Sequence, residues 1–124
     1  MKGRVLLADD ALFMREMIRE IIEPDGFEVI GEASDGIEAV EQFRKLQPDI
    51  VTMDIVMPRL SGIDAVEQIV QIDPSAKIVM CSALGQEALV MEALKAGASD
   101  FVVKPFKPED VLGTLAKVLE KADE

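Results

Sequence analysis

The sequence predicts an α/β fold, a doubly wound five-stranded parallel sheet in the order 2-1-3-4-5 with helices on both faces, forming a three-layer sandwich. Five short apolar runs alternate along the chain with five segments whose apolar residues recur every three or four positions. Acidic residues end the first and third runs, at Asp9-Asp10 and at Asp54. In sheets of this order, ligands bind at the carboxyl ends of strands 1 and 3, so these acids are the first candidates for a functional site.

Composition narrows the classes of protein that are possible. The 124 residues suit one domain, 1–124, and the net charge of -11 argues against binding to nucleic acid or to anionic membranes. No apolar run is long enough to cross a membrane and no signal peptide is visible, so we expect a cytoplasmic monomer. The chain lacks histidine, and its one cysteine, Cys81, lies in an apolar run. This excludes catalysis by a histidine base, most zinc sites and a disulfide within the chain.

The first strand and helix are predicted from one apolar run and one amphipathic segment. Residues 4–8 are mostly apolar, as in a buried strand, and Asp10 can cap the helix that follows. The sequence Pro24-Asp25-Gly26 ends this helix. Its apolar residues, spaced by three and four positions, are Phe13, Met17, Ile18, Ile21 and Ile22.

The second strand, 27–33, shows a strict alternation that suits a strand near the sheet edge. The helix after it starts at the Ser-Asp-Gly turn 34–36 and ends at Leu46, before Pro48. The alternation predicts two faces for the strand, one with Phe27, Val29 and Gly31, the other with Glu28, Ile30 and Glu32.

The third strand, 50–53, leads into Asp54, where an ionised group is costly unless it is paired, metal-bound or exposed. Pro58 stops the strand from continuing, and Gly62 allows a tight loop before the third helix. The apolar positions of that helix are Ile63, Val66, Ile69, Val70 and Ile72.

The last elements are bounded by proline and glycine. The fourth strand is 77–82, and the helix 86–96 follows it with Gly97 as a left-handed cap. The fifth strand is 101–104. The remaining boundaries are the stop of that strand at Pro105, the start of the last helix at Pro108 and its end at about Lys121.

This topology would bring polar side chains from four loops into one crevice, namely Asp9, Asp10, Asp54, Ser82 and Lys104. Three carboxylates close together repel by roughly 4 kcal/mol per pair at an effective dielectric constant near 20, and one lysine cannot offset all of that. A hard divalent cation can, and a small oxygen site of one to three carboxylates suits Mg2+. The alternative makes Asp10 a helix cap, Lys104 part of a surface ion pair and Ser82 a turn residue. The convergence of all five on one edge favours a site.

Magnesium beside a carboxylate indicates phosphoryl chemistry. A carboxylate can itself be the nucleophile, and Asp54 is the best candidate because it stands alone at its strand end. Lys104 would then pair with the phosphoryl oxygens, and the Ser82 hydroxyl would donate to another. Other phosphate-binding proteins fit poorly, because the chain has no GxGxxG or GxxxxGKS/T loop. A hydrolase with an aspartate nucleophile would need a second acid where this chain has Val56.

The whole chain resembles a receiver domain of the two-component response regulators, and within that family the stand-alone regulators of chemotaxis. The resemblance rests on the acid pair after strand 1, the stretch MDIVMPRLSG at 53–62, the residues at 81–83 and Lys104-Pro105, whose peptide bond would be cis. It implies a flavodoxin-like fold. It also implies a switch that catalyses its own aspartyl phosphorylation and dephosphorylation, rather than an enzyme acting on an external substrate.

The resemblance further implies a role for each acid. Asp54 would accept a phosphoryl group from the phosphohistidine of a histidine kinase. Mg2+ would be bound by the side chains of Asp10 and Asp54 and by the backbone carbonyl of Val56. Asp9 would reach the metal largely through water.

The switch residues implied by the resemblance depart slightly from the family pattern. Ser82 would be the switch hydroxyl in place of the commoner threonine. Phe101 would be the switch aromatic, often tyrosine, so a role for a phenolic hydroxyl is absent. Val56 and Leu84 would flank the path of the hydrolytic water, and neither can orient it. We therefore predict slow self-dephosphorylation and dependence on a separate phosphatase.

A partner surface is predicted from Met91, which falls between Glu87 and Lys95 on the side of the fourth helix that should face solvent. Flexible thioethers suit adaptable contacts, and the resemblance points to the same face, which includes Phe101.

The expected target is a flagellar motor switch protein. The alternatives are a phosphorelay intermediate or a receiver domain excised from a larger transcriptional regulator. The chain ends just after the last helix, which favours the stand-alone protein.

Overall fold

The protein folds as five parallel strands in the order β2-β1-β3-β4-β5, with a helix after each strand. The structure is a computed structural model and describes residues 1–120, so the predicted helix end at Lys121 lies outside the described residues. The predicted fold class and strand order are confirmed. The elements are β1 (Gly3–Ala8), α1 (Leu12–Ile22), β2 (Phe27–Ala33), α2 (Gly36–Leu46), β3 (Ile50–Asp54), α3 (Gly62–Ile72), β4 (Ile78–Ser82), α4 (Glu87–Ala96), β5 (Asp100–Val103) and α5 (Pro108–Glu120).

The sheet separates two apolar layers because successive side chains of each central strand point to opposite faces. In β1, Val5 and Leu7 pack with α1 and α5, whereas Leu6 and Ala8 pack towards α2, α3 and α4. Cys81 is buried in the first layer, as predicted, and burial raises the pKa of its thiol to about 12. Within residues 1–120, no helix is long and apolar enough to cross a membrane.

The predicted alternation of β2 is wrong after Val29. The pairing of β1 with β2 slips by one residue between Val5 and Leu6, so that Ile30 is passed over and Gly31 pairs with Leu6. A bulge of this kind reverses the faces of the residues that follow it. Gly31 therefore faces α2, where a Cβ would lie 2.5 Å from a methyl group of Leu46. Glu32 turns to the opposite face.

Two predictions for α1 are also wrong. The helix begins at Leu12 without a side-chain cap, because the carboxylate that accepts a backbone N–H here belongs to Asp9, whose Oδ1 lies 2.9 Å from the amide nitrogen of Ala11. Asp10 is left exposed. Phe13, placed on the apolar face by its spacing, is 68% exposed because the first turn of α1 lies at the edge where the sheet ends. Ile18 and Ile22 are the residues of α1 that are buried.

Candidate functional site

The three predicted acids meet at the carboxyl edge of the sheet. Asp9 follows β1 and Asp54 ends β3, two neighbouring strands in which Ala8 pairs with Met53. One carboxylate oxygen from each of Asp9, Asp10 and Asp54 lies within 4.8 Å of the others. Asp9 is 2% and Asp54 8% exposed, while Asp10 faces solvent. The cluster is therefore partly buried and open on the side of Asp10.

Lys104 reaches this cluster from the end of β5. Its Nζ lies 3.4 Å from Asp9 Oδ2 and 3.3 Å from Asp54 Oδ1. Its backbone N–H donates to the carbonyl of Ser82 at 2.7 Å, which anchors the loop after β5 to the end of β4. The Lys104–Pro105 peptide bond is cis, as the resemblance implied. The structure thus brings together the acids and the lysine that the sequence placed in one crevice.

The cluster contains three carboxyl groups and one ammonium group, so negative charge is in excess. Burial, together with the Asp9 carboxylate, raises the pKa of Asp54 to about 6, although Lys104 acts in the opposite direction. Burial lowers the pKa of Lys104, but Asp54 and Asp9 outweigh it and the net pKa is raised. Among residues 1–120, Lys104 is the one cation within salt-bridge distance of Asp9 and Asp54, and Asp10 forms no salt bridge. An oxygen-only donor set with excess negative charge and one exposed side fits a partly hydrated Mg2+ ion.

The loop after β3 packs tightly against the backbone of Asp54. Gly62 N–H donates to the carbonyl of Ile55 at 2.8 Å, and a Cβ on Gly62 would lie 2.0 Å from the carbonyl oxygen of Asp54. Glycine is therefore required here by close approach of two backbones, not by an unusual backbone angle. The loop leaves the side chain of Val56 exposed beside Asp54. Its backbone carbonyl, the predicted metal ligand, belongs to this closely packed segment.

The predicted switch residues line one cavity of about 270 Å³ between β4, α4 and β5. Ser82 is 2% exposed, and its hydroxyl donates to the carbonyl of Val102 across a long 3.5 Å. Phe101 is 40% exposed and contributes to the cavity wall. Met91 is 56% exposed, which confirms its predicted position on the solvent side of α4, and it lines the same cavity together with Leu84. The sequence placed these residues separately, and the structure brings them together.

Sequence reasoning missed two sets of ion pairs beside the site. Arg59, in the loop after β3, pairs with the helix-capping Asp35 at 3.0 Å. Arg15 and Arg19 of α1 both pair with Glu32 of β2 at 2.8 Å. The four-residue spacing of the two arginines was a visible signal of a shared helix face. Their partner was hidden, because the bulge in β2 reverses the side to which Glu32 points.

The fold and the acid cluster define a class of α/β protein with an acidic site at the carboxyl edge of its parallel sheet. The model of the response regulator receiver domain matches residues 5–116. The chain is 59% identical to the chemotaxis protein CheY of Thermotoga maritima, over 95% of this chain and 98% of that protein. It is 51% identical to CheY of Bacillus subtilis, over 96% of this chain and 99% of that protein.

A solved structure agrees with these relatives. The crystal structure of the CheX–CheY–BeF3–Mg2+ complex of Borrelia burgdorferi contains a chain that is 39% identical, with a TM-score of 0.88 over 93% of this chain and 87% of that chain. The chain therefore belongs to the response regulator receiver domain family. It is closely related to the chemotaxis members of that family.

Proposed function

We propose that the protein is a single receiver domain, 1–124, in which Asp54 accepts a phosphoryl group from the phosphohistidine of a histidine kinase. The observation that carries this proposal is the meeting of Asp9, Asp10 and Asp54 with the ammonium group of Lys104 at one sheet edge. Excess negative charge there is unfavourable in the protein alone and favourable once a divalent cation is bound. Asp10, Asp54 and the Val56 carbonyl would hold Mg2+, and Asp9 would contact it largely through water.

The reaction uses the residues as they are placed. A carboxylate oxygen of Asp54 attacks phosphorus, and the bond from phosphorus to the donor nitrogen breaks as the aspartyl phosphate forms. With a pKa of about 6, Asp54 is mainly ionised at neutral pH and needs no separate base. Lys104, now 3.3 Å from Asp54, moves its ion pair to the phosphoryl oxygens. When bound, Mg2+ would neutralise the phosphoryl charge, and charge neutralisation together with positioning accounts for most of phosphoryl-transfer catalysis.

Incubation with acetyl phosphate and Mg2+, followed by mass spectrometry of the intact chain and its peptides, tests this proposal. We expect one phosphoryl group on Asp54, none without Mg2+, and none in the Asp54→Asn variant. Modification at another residue, or no modification of the wild type, would overturn it.

The switch step follows from the cavity beside Ser82. A phosphoryl group on Asp54 would draw the Ser82 hydroxyl from the carbonyl of Val102, and Phe101 would move inward to occupy the cavity of about 270 Å³. This changes the surface formed by Met91 and Phe101. A Ser82→Ala variant should accept phosphate but lose the difference in target affinity between its two states. If phosphorylation changed the target affinity of this variant as much as it changes that of the wild type, the route through Ser82 would be ruled out.

The lifetime of the phosphorylated state is proposed to depend on Val56 and Leu84, both exposed apolar side chains. Neither can orient a water molecule, so hydrolysis should be slow and a separate phosphatase should be needed. A Val56→Asn variant supplies an amide that can hold water and should dephosphorylate faster. An unchanged lifetime in that variant would contradict this account.

The proposed output is control of chemotaxis through a flagellar motor switch protein. The support is the identity of 51–59% to proteins named chemotaxis protein CheY over nearly their full length. The second candidate is a phosphorelay intermediate or a receiver excised from a larger regulator. Binding of the phosphorylated protein to motor switch components, measured against transfer of its phosphoryl group to a second histidine protein, separates the two.

A further inference from the structure

Arg15 links the acid cluster to β2. Its Nη1 donates to the backbone carbonyl of Asp9 at 2.6 Å, and its Nε donates to Glu32 Oε1 at 2.8 Å. The second carboxylate oxygen of Glu32 accepts from Arg19 Nη2 at 2.8 Å. A guanidinium group is planar, so two bonds in different directions fix its orientation. Arg15 is thus a rigid link between a buried acid of the site and a side chain outside it.

Asp9 is held at every polar atom. Its backbone N–H donates to the carbonyl of Ala33 at 3.0 Å, and its carbonyl accepts from Arg15. Its Oδ1 accepts from the N–H of Ala11 and its Oδ2 lies 3.4 Å from Lys104 Nζ. The carbonyl bond is special among these contacts because it acts on the peptide plane that joins Asp9 to Asp10. Rotation of that plane would turn the two acids relative to each other.

The bulge in β2 makes this link possible. After the slip in register, Glu32 pairs with Leu7, whose side chain packs against α1. Paired residues on neighbouring strands point to the same face, so Glu32 faces α1 and reaches both arginines. Without the extra residue in β2, Glu32 would point to the layer of α2. The chain therefore uses an irregular strand to supply Arg15 with its anchor.

We propose that Arg15, held by Glu32, is a positioning residue that orients the Asp9–Asp10 peptide for metal binding. It acts through the backbone of Asp9 and touches neither the metal nor the phosphoryl group. The inference rests on the proposed function, since it concerns the magnesium site formed by Asp9, Asp10 and Asp54. Partners that orient metal ligands in this way are commonly worth 10- to 100-fold in metal affinity.

The sign of the effect distinguishes positioning from simple electrostatics. Removing a positive charge near an anionic site should tighten the binding of a cation. Loss of positioning should weaken it. Arg19→Gln is the matched control, because Arg19 carries the same charge and pairs with the same Glu32 but does not contact Asp9. Arg15→Gln removes both the charge and the bond to the carbonyl.

Mg2+ binding to the metal-free wild type and both variants is measured by isothermal titration calorimetry, since the chain has no tryptophan or tyrosine to report by fluorescence. We expect the Kd of Arg15→Gln to rise about 10-fold or more, and that of Arg19→Gln to stay within about twofold or to fall. Hydrogen exchange at the amide of Ala11 in the metal-free protein should speed up in Arg15→Gln. Phosphorylation of Arg15→Gln by acetyl phosphate should recover at saturating Mg2+, because only positioning is lost.

Each other outcome overturns a definite claim. A wild type that binds Mg2+ together with an unchanged or tighter Kd in Arg15→Gln overturns the positioning role alone. A wild type that binds no Mg2+ overturns the magnesium site, and the positioning role with it. If Arg15→Gln does not fold by far-UV circular dichroism, Glu32→Gln takes its place. It leaves the bond to Asp9 in position but unanchored and should weaken Mg2+ binding by a smaller factor, and an unchanged Kd there overturns the proposal.

Discussion

The carboxyl and amino edges of the sheet differ in how their charged side chains are paired. At the carboxyl edge, Asp9, Asp10 and Asp54 lie close together with Lys104 beside two of them, and the pKa of Asp54 is raised to about 6 by burial and by Asp9. At the amino edge, Asp49 accepts from the N–H of Arg4 at 2.7 Å, and its own N–H donates to the Arg4 carbonyl at 2.8 Å. One edge holds repelling acids, and the other pairs the carboxylate and the N–H of its acid with the backbone of Arg4.

The amino edge also uses its cation to close a helix. The guanidinium of Arg4 donates to the carbonyls of Leu46 and Gln47 at 3.1 Å, where α2 ends and the helix dipole favours positive charge. Ser99 joins the amino ends of β4 and β5 through two hydrogen bonds to the backbone of Ile78. Every contact named here stabilises the fold without a ligand. The amino edge thus pairs its charged side chains with backbone groups, whereas the carboxyl edge keeps an excess of negative charge.

The largest effect should come from filling the backbone contact behind Asp54. Gly62→Ala places a Cβ 2.0 Å from the Asp54 carbonyl oxygen and should cost about 2–3 kcal/mol of unfolding free energy. Gly113→Ala is the control, because no atom lies within 4 Å of its added Cβ and alanine favours a helix interior by roughly 0.5–1 kcal/mol. Urea denaturation followed by circular dichroism measures both. Equal effects of the two substitutions would show that the carboxyl edge is not close-packed.

Because the two edges differ in charge balance, removing an acid from each should change the stability in opposite directions. Asp54→Asn removes a repelling charge and should raise the stability of the metal-free protein by about 1–2 kcal/mol. It should also abolish the increase in melting temperature caused by Mg2+. Asp49→Ala breaks a paired site and should lower stability by about 1 kcal/mol while keeping the response to Mg2+. Thermal melts with and without Mg2+ measure the stability change and the response to Mg2+ of both variants. Destabilisation by Asp54→Asn would contradict the view that repelling acids lower the stability of the carboxyl edge.

The smallest effect concerns Glu32, a paired acid near the crowded edge. Burial acts to raise its pKa, but Arg15 and Arg19 outweigh burial and hold the pKa below the ordinary value of 4.5. An acid with a lowered folded pKa stabilises the fold above its unfolded pKa, and this contribution is lost as the pH falls through the folded pKa. Glu32→Gln should therefore cost about 0.5–1 kcal/mol at pH 7 and almost nothing at the acid limit.

The control for this pH dependence is Glu23→Gln, which removes an exposed partner of Arg19 and should change stability little at any pH. Urea midpoints across a pH series measure the two variants together. If Glu32→Gln lowered the unfolding free energy by the same amount at acid and neutral pH, the two arginines would not stabilise the ionised form of Glu32.

Much of the fold and of the site could be predicted because both depend on where apolar runs end. The ends of β1, β3, β4 and β5 are visible as Asp9, Asp54, Ser82 and Lys104, and parallel topology brings those ends to one edge. The failures came where one residue changes the geometry. Asp9 rather than Asp10 binds the first free amide before α1, and the neighbouring carboxylates look identical in sequence.

Hydrophobic periodicity and the positions of strand ends are local properties of the chain, so the architecture, the three acids and the lysine of the candidate site could be inferred from the sequence. The side chains that orient those groups could not be inferred, because their positions depend on how the strands pair. The slip at Ile30 turns Glu32 towards α1, and Arg15 then fixes the Asp9 carbonyl at 2.6 Å. Side chains along a strand alternate with a period of two, so one unpaired residue reverses the face of every later side chain. The position of such a residue depends on the pairing of two strands that are distant in the chain.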